Sequence, residues 1–241
     1  MTRWRLAIRL AANELRIERR RRTMVSQVIP FAVVTMVIFG LGFGGPTVTA
    51  GSGSSPLSAL AQAGPGLVWV TVVLSLIITV QHSFAVDTAD GALDALRVAG
   101  VDPAAIFWGK TLAIGVQLIV LATLVSVTAV VIASIEMSEA TPVLGLVAIV
   151  IASIGLAAVG VLYGALTVGG SGRGALLALL VFPAVSPVVI AGTRALEASL
   201  GSYGVPVSQG WSWIGLLTVF AGGALAIGTL AFGSLIDGMH R

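Results

Sequence analysis

The sequence predicts an all-α integral membrane protein with six transmembrane helices, an N-terminal amphipathic helix at the interface and a short cytoplasmic coupling helix. Three observations predict it. Hydrophobic residues make up 57% of the 241 and charged residues only 10%, against about 25% charged in a soluble domain, and the mean hydropathy is +1.05. Six apolar runs are each long enough to cross a core of ~30 Å at ~1.5 Å per residue. With both termini cytoplasmic, twelve of the thirteen basic residues, all but Arg194, fall on the inner side, as the positive-inside rule requires. Trp4, Trp69, Trp108, Trp211 and Trp213 then all lie at predicted membrane interfaces, where indole rings concentrate.

Residues 1–22 carry eight arginines and end in the run Arg19 to Arg22. As a helix they place Trp4, Ile8, Ala11 and Leu15 on one face and Arg5, Arg9 and Arg16 on others, the pattern of a helix lying on anionic lipid. Span 1 covers about 25–43. The basic start, the apolar run and Val48-Thr49-Ala50 also resemble a signal peptide, but the run is too long for its hydrophobic region, so the helix is expected to be retained. Residues 44–65 are an uncharged loop rich in Gly, Ser, Pro and Ala. Span 2 covers about 66–85, span 3 about 106–132, span 4 about 143–168, span 5 about 175–192 and span 6 about 214–236. Arg194, Glu197, Leu196 and Leu200 predict a short external amphipathic helix after span 5. The whole chain, 1–241, is one membrane domain.

The polar segment 87–103 separates spans 2 and 3. Asp87 is expected to cap a short helix with Asp90 in its first turn. Gly100 is placed to end it. Asp102-Pro103 is an N-cap followed by proline at the first helical position, opening span 3. Capping leaves Asp94 unexplained. A surface helix with exposed leucines and acids suits a groove in another protein, and Asp90, Gly91, Leu93, Asp94 and Leu96 are the residues expected to meet an ATPase.

Several functions are excluded by what is missing. Cysteine is absent and there are two histidines, His82 and His240, so no thiol nucleophile or histidine metal centre is expected. No ionisable residue is placed firmly inside a span, as a proton relay or voltage sensor would need; His82 comes nearest. Gly109-Lys110 lacks the upstream glycine of a phosphate loop, so ATP hydrolysis must belong to another subunit. Gly169-Gly170-Ser171-Gly172 resembles the string of intramembrane serine proteases but has no base to activate the serine. The positive charge is accounted for by topology, and no nucleic acid partner is expected. Ser153, Ala157, Gly160 and Gly164 form a small-residue ridge on span 4 for close helix packing, internal or between subunits. Pro183 and Pro187 should bend span 5 and serve as a hinge or a static kink, with Ser186 able to satisfy a freed carbonyl.

Three blocks carry a family resemblance. Ala63-Gly64-Pro65-Gly66-Leu67-Val68-Trp69-Val70 resembles the entry to the second span of the CcmB family, the haem exporter B permeases of bacterial cytochrome c maturation. Asp90-Gly91-Ala92-Leu93-Asp94-Ala95-Leu96 resembles that family's cytoplasmic motif, and Lys110 stands where the family has a lysine opening span 3. Leu166-Thr167-Val168-Gly169, Arg173-Gly174 and Leu177 to Pro187 resemble a third block. The chain departs from the pattern at Gln81 to Asp87, where only the last acid of a basic and acidic cluster is kept, at the turn after span 4, which has one basic residue rather than two, and in its arginine-rich N-terminus.

The resemblance implies a type-2 ABC exporter-like permease in the bacterial inner membrane. Its partners would be a cytoplasmic ABC ATPase, other cytochrome c maturation membrane proteins, the haem chaperone, membrane lipids and, as a further expectation, a second copy in a homodimer. It would not be an enzyme itself. No bound cofactor is expected; haem enters as a handled or transported ligand. The alternative is an export-type ABC permease for a lipid, peptide or drug.

Overall fold

The computed structural model describes residues 3–43, 59–89, 91–133, 140–166, 173–201 and 204–238. Among them the protein is all helical: α1 (Arg3–Arg21), a π-helical turn (Met24–Val28) leading into α2 (Ile29–Phe43), α3 (Ala59–Ala89), α4 (Ala92–Val98), α5 (Pro103–Ala133), α6 (Pro142–Leu166), α7 (Arg173–Leu200) and α8 (Val207–Gly238). Six helical stretches are long and apolar enough to cross a membrane: Met24–Gly42, Ala61–Ala89, Pro103–Ala133, Pro142–Leu166, Leu179–Leu200 and Val207–Leu235.

The helices α3 and α6 are the centre of the bundle. Each buries 67% of its most apolar window, against 17% for the first span. The small-residue ridge explains the close approach. A Cβ on Gly160 would lie 2.8 Å from Leu76 Cδ1, and one on Gly164 2.5 Å from Phe84 Cε2, both on α3. Ala157 of the same ridge lies beside Gly115 of α5, and Ser153 is fully buried. Without a water-driven hydrophobic force between helices, such backbone proximity maximises dispersion contact. The outer helices leave large apolar side chains exposed, among them Val131, Leu179, Val219 and Leu230, a surface that suits lipid rather than water.

Trp69 is packed inside the bundle and does not face lipid. It is fully buried, and Gly192 exists opposite it because a Cβ there would fall 2.5 Å from the indole Cε2. That glycine therefore does not end span 5. The helix α7 runs unbroken through Gly192 to Leu200, so the separate external helix expected at Arg194 is instead the last two turns of α7, supported by an Arg194–Glu197 pair at 2.9 Å.

Pro183 and Pro187 also lie within continuous α7, both exposed. Pro187 cannot donate to the carbonyl of residue 183. Ser186 Oγ donates to that Pro183 oxygen at 2.9 Å instead. The signal-like tripeptide 48–50, the glycine-rich turn 169–172 and His240 lie outside the described residues.

Candidate functional site

The candidate site is built where α1, α3 and α5 meet, beside α4. The first helix docks along the start of α5 through its smallest residues. Ala7 and Ala11 are buried, and Gly109 admits them: a Cβ there would lie 2.8 Å from Leu10 Cβ and 3.3 Å from the Ala7 carbonyl. Trp4 packs edge-on against Trp108 with ring centroids 5.6 Å apart. The chain then turns at Arg22, whose φ of 55° is left-handed, a conformation that costs a non-glycine residue about 1 kcal/mol. The Glu18 carboxylate accepts the Met24 N–H at 2.5 Å just beyond the turn. Widening follows at once, with the Ile29 N–H reaching the Met24 carbonyl. Pro30 next to it cannot donate into a regular α-helical ladder.

Lys110 is the centre of the site. It is 3% exposed and lies near the start of α5, enclosed by protein groups. An ammonium has three donors, and each finds an acceptor: Glu14 Oε1 of α1 at 2.7 Å, Asp87 Oδ2 of α3 at 2.5 Å and Ser83 Oγ of α3 at 3.1 Å. The Phe84 ring centroid is 4.9 Å from the nitrogen, close enough for a cation–π contribution. His82, next to Ser83 on α3, has its Nε2 3.0 Å from Thr23 Oγ1. A buried lysine needs this much compensation because its desolvation costs several kcal/mol.

Asp87 therefore has a different role from the expected cap. The helix α3 continues to Ala89, and Asp87 lies in its last turn facing Lys110. An acid near a helix C-terminus opposes the macrodipole, and the lysine offsets that cost.

The segment after Asp87 is shaped by its glycines and by Asp102. Gly91 and Gly100 have φ of 61° and 67°. The Val101 N–H closes onto the Leu96 carbonyl at 3.1 Å, the wrap that ends α4. Asp102 Oδ1 accepts the Ala104 N–H at 3.0 Å, capping α5 with Pro103 in its first position. Its other oxygen, Oδ2, pairs with Arg3 Nε at 2.7 Å.

Of the residues expected to contact an ATPase, Gly91 forms the turn into α4 and Leu96 packs partly buried against the core. Leu93 and Asp94 lie on α4, their side chains outside the described set, and Asp90 lies outside the described residues. The structure thus joins four residues on α1, α3 and α5 that sequence reasoning did not connect: Glu14, Ser83, Asp87 and Lys110. The available signal was a lysine eight positions into an apolar helix, which demands a counter-ion.

A concavity of about 450 Å³ lies between α6, α7 and α8, lined by Leu162, Tyr163, Phe220 and Ile227 among other residues. Among the described residues no group of His, Cys, Asp and Glu could hold a metal ion.

A family model described as CcmB protein matches residues 5–237. The chain is 31% identical over 223 residues to heme exporter protein B of Pseudomonas aeruginosa, covering 88% of this chain and 89% of that protein. It is 29% identical over 166 residues to heme exporter protein B of Rhodobacter capsulatus, covering 67% and 68% respectively.

Proposed function

The chain belongs to the CcmB protein family, and from that premise we propose that it is the permease subunit of an ABC-type haem exporter in cytochrome c biogenesis. A separate cytoplasmic ATPase supplies the work. Its hydrolysis drives haem export or release of the haem-loaded chaperone. The bundle sits in the bacterial inner membrane with both termini and α4 on the cytoplasmic side, an orientation supported by the one-sided distribution of arginine and lysine.

The observation that carries this reading is the anchoring of α4. Each helix flanking it has an acid within a few residues of the segment, Asp87 before it and Asp102 after it, and each acid is ion-paired. A push on a short helix moves the spans only if its two ends are tied to them. Here the ties run to α1 and α5, so force at α4 reaches three helices. The docking surface is Asp90, Gly91, Leu93, Asp94 and Leu96. Pro183 and Pro187 mark where α7 yields as the bundle changes shape.

The test is co-purification of the tagged chain in mild detergent, with identification of what comes with it. The expected partner is an ABC ATPase, lost on Asp94→Arg or Leu93→Asp while the bundle stays folded. Normal recovery of the ATPase with both variants removes α4 as the docking element. Haem stimulation of the ATPase rate separates haem from a lipid or peptide cargo.

A further inference from the structure

The outward face of α1 carries arginines and neither of the helix's acids. The helix has two, Glu14 and Glu18, and both turn inward, Glu14 to Lys110 and Glu18 to the Met24 N–H. Arg5, Arg16, Arg19 and Arg20 lie on the side of the helix away from Glu14, and all are exposed. Trp4 and Ile8 beside them are about half exposed, at 53% and 48%. The helix also leads within three residues into the span Met24–Gly42, which holds its C-terminal end at the membrane surface. Arginines beside exposed apolar residues at that depth fit anionic phospholipid headgroups.

The same helix holds both approaches to α4. Through Arg3 it pairs with Asp102, after α4. Through Glu14 and Lys110 it reaches Asp87, before α4. We propose that anionic phospholipid on the arginine face of α1 seats that helix and thereby stiffens residues 91–101, so that the lipid regulates how force enters the bundle. The regulatory meaning rests on the permease reading; the lipid-dependent stiffening does not.

Lipid acts on α1 from outside and the two ion pairs carry the effect inward, so the two halves of the device can be cut separately. Amide hydrogen exchange is measured on the full chain in nanodiscs of phosphatidylcholine with and without phosphatidylglycerol, without any ATPase. The expected result is several-fold slower exchange in α1 and in 91–101 with phosphatidylglycerol. In Arg16→Gln/Arg19→Gln/Arg20→Gln both responses shrink, and added salt does the same to the unaltered chain. In Arg3→Gln/Glu14→Leu, α1 still responds and 91–101 does not; Lys110 keeps Asp87 as its counter-ion, and unchanged slow exchange in α3, α5 and α6 is the check that the bundle is intact. Equal exchange of 91–101 in the two lipids overturns the proposal. Protection of α1 by an added ATPase but not by phosphatidylglycerol also overturns it, in favour of an acidic protein surface. Lipid-dependent ATPase rates in the complex test the regulatory step alone: an exchange response without a rate response sinks the regulation and leaves the stiffening.

Discussion

Lys110 and Glu14 are 96 positions apart in the chain and 2.7 Å apart in space. That pair joins a surface helix to the buried start of α5, and Asp87 on α3 completes it. Removing one member of a buried pair costs more than removing all, because the survivors stay desolvated without compensation. Lys110→Met should lower stability by about 2–3 kcal/mol, below the full buried-pair value because Glu14 and Asp87 keep some water contact. Lys110→Met/Glu14→Gln/Asp87→Asn should recover most of that loss. Thermal unfolding in detergent measures both. A triple variant weaker than the single one contradicts the desolvation argument.

Gly109 makes a second prediction about the same joint. A methyl group there meets Leu10 Cβ at 2.8 Å and the Ala7 carbonyl at 3.3 Å. The backbone oxygen cannot rotate away, so α1 must shift. Overpacking of this kind costs about 1–3 kcal/mol. Gly109→Ala should therefore speed proteolysis within α1 while the spans stay protected. Gly215→Ala is the control, since a Cβ there meets nothing within 4 Å and alanine favours the helix by about 1 kcal/mol over glycine.

The spans were legible because hydropathy is a local property that a single window reads. The joint was not. Nothing near Lys110 in sequence indicates that its counter-ion is on α1, and Asp87 has a credible local use as a cap until α3 is seen to continue past it. The packing of Trp69 was hidden for a related reason: its match is Gly192 on another helix. The same glycine, read locally, looked like the end of span 5. The Asp102-Pro103 start of α5 and the Gly100 stop of α4 were readable because each depends only on neighbouring residues.

Ser186 and Pro187 should be coupled. Ser186 Oγ occupies the Pro183 carbonyl that Pro187 leaves without its helical donor. Ser186→Ala alone should cost about 0.5–1.5 kcal/mol. In a Pro187→Ala background the backbone N–H returns to that carbonyl, and Ser186→Ala should then cost almost nothing. A double-mutant cycle by thermal unfolding reads the difference directly; additive effects would mean that the hydroxyl does not substitute for the missing N–H.

Asp102 and Arg3 separate capping from ion pairing at the far end of α4. Asp102 serves two partners through two oxygens, the Ala104 N–H and the Arg3 guanidinium. The cap satisfies a helix-end donor, and its removal costs about 1 kcal/mol. The ion pair is with an arginine that is 84% exposed, so water screens it and its own contribution is at most about 0.5 kcal/mol. Asp102→Ala should therefore destabilise clearly more than Arg3→Ala. Asp102→Asn should restore the cap without the charge and fall close to Arg3→Ala. The functional order differs from the stability order. If force enters through α4, Arg3→Ala should reduce coupling between the ATPase and the bundle while barely moving the melting temperature, because it cuts the tie between α1 and the end of α4 and leaves the start of α5 intact. A coupling loss that simply tracks stability across these three variants would make Arg3 a surface charge and return the transmission of force to α5 alone.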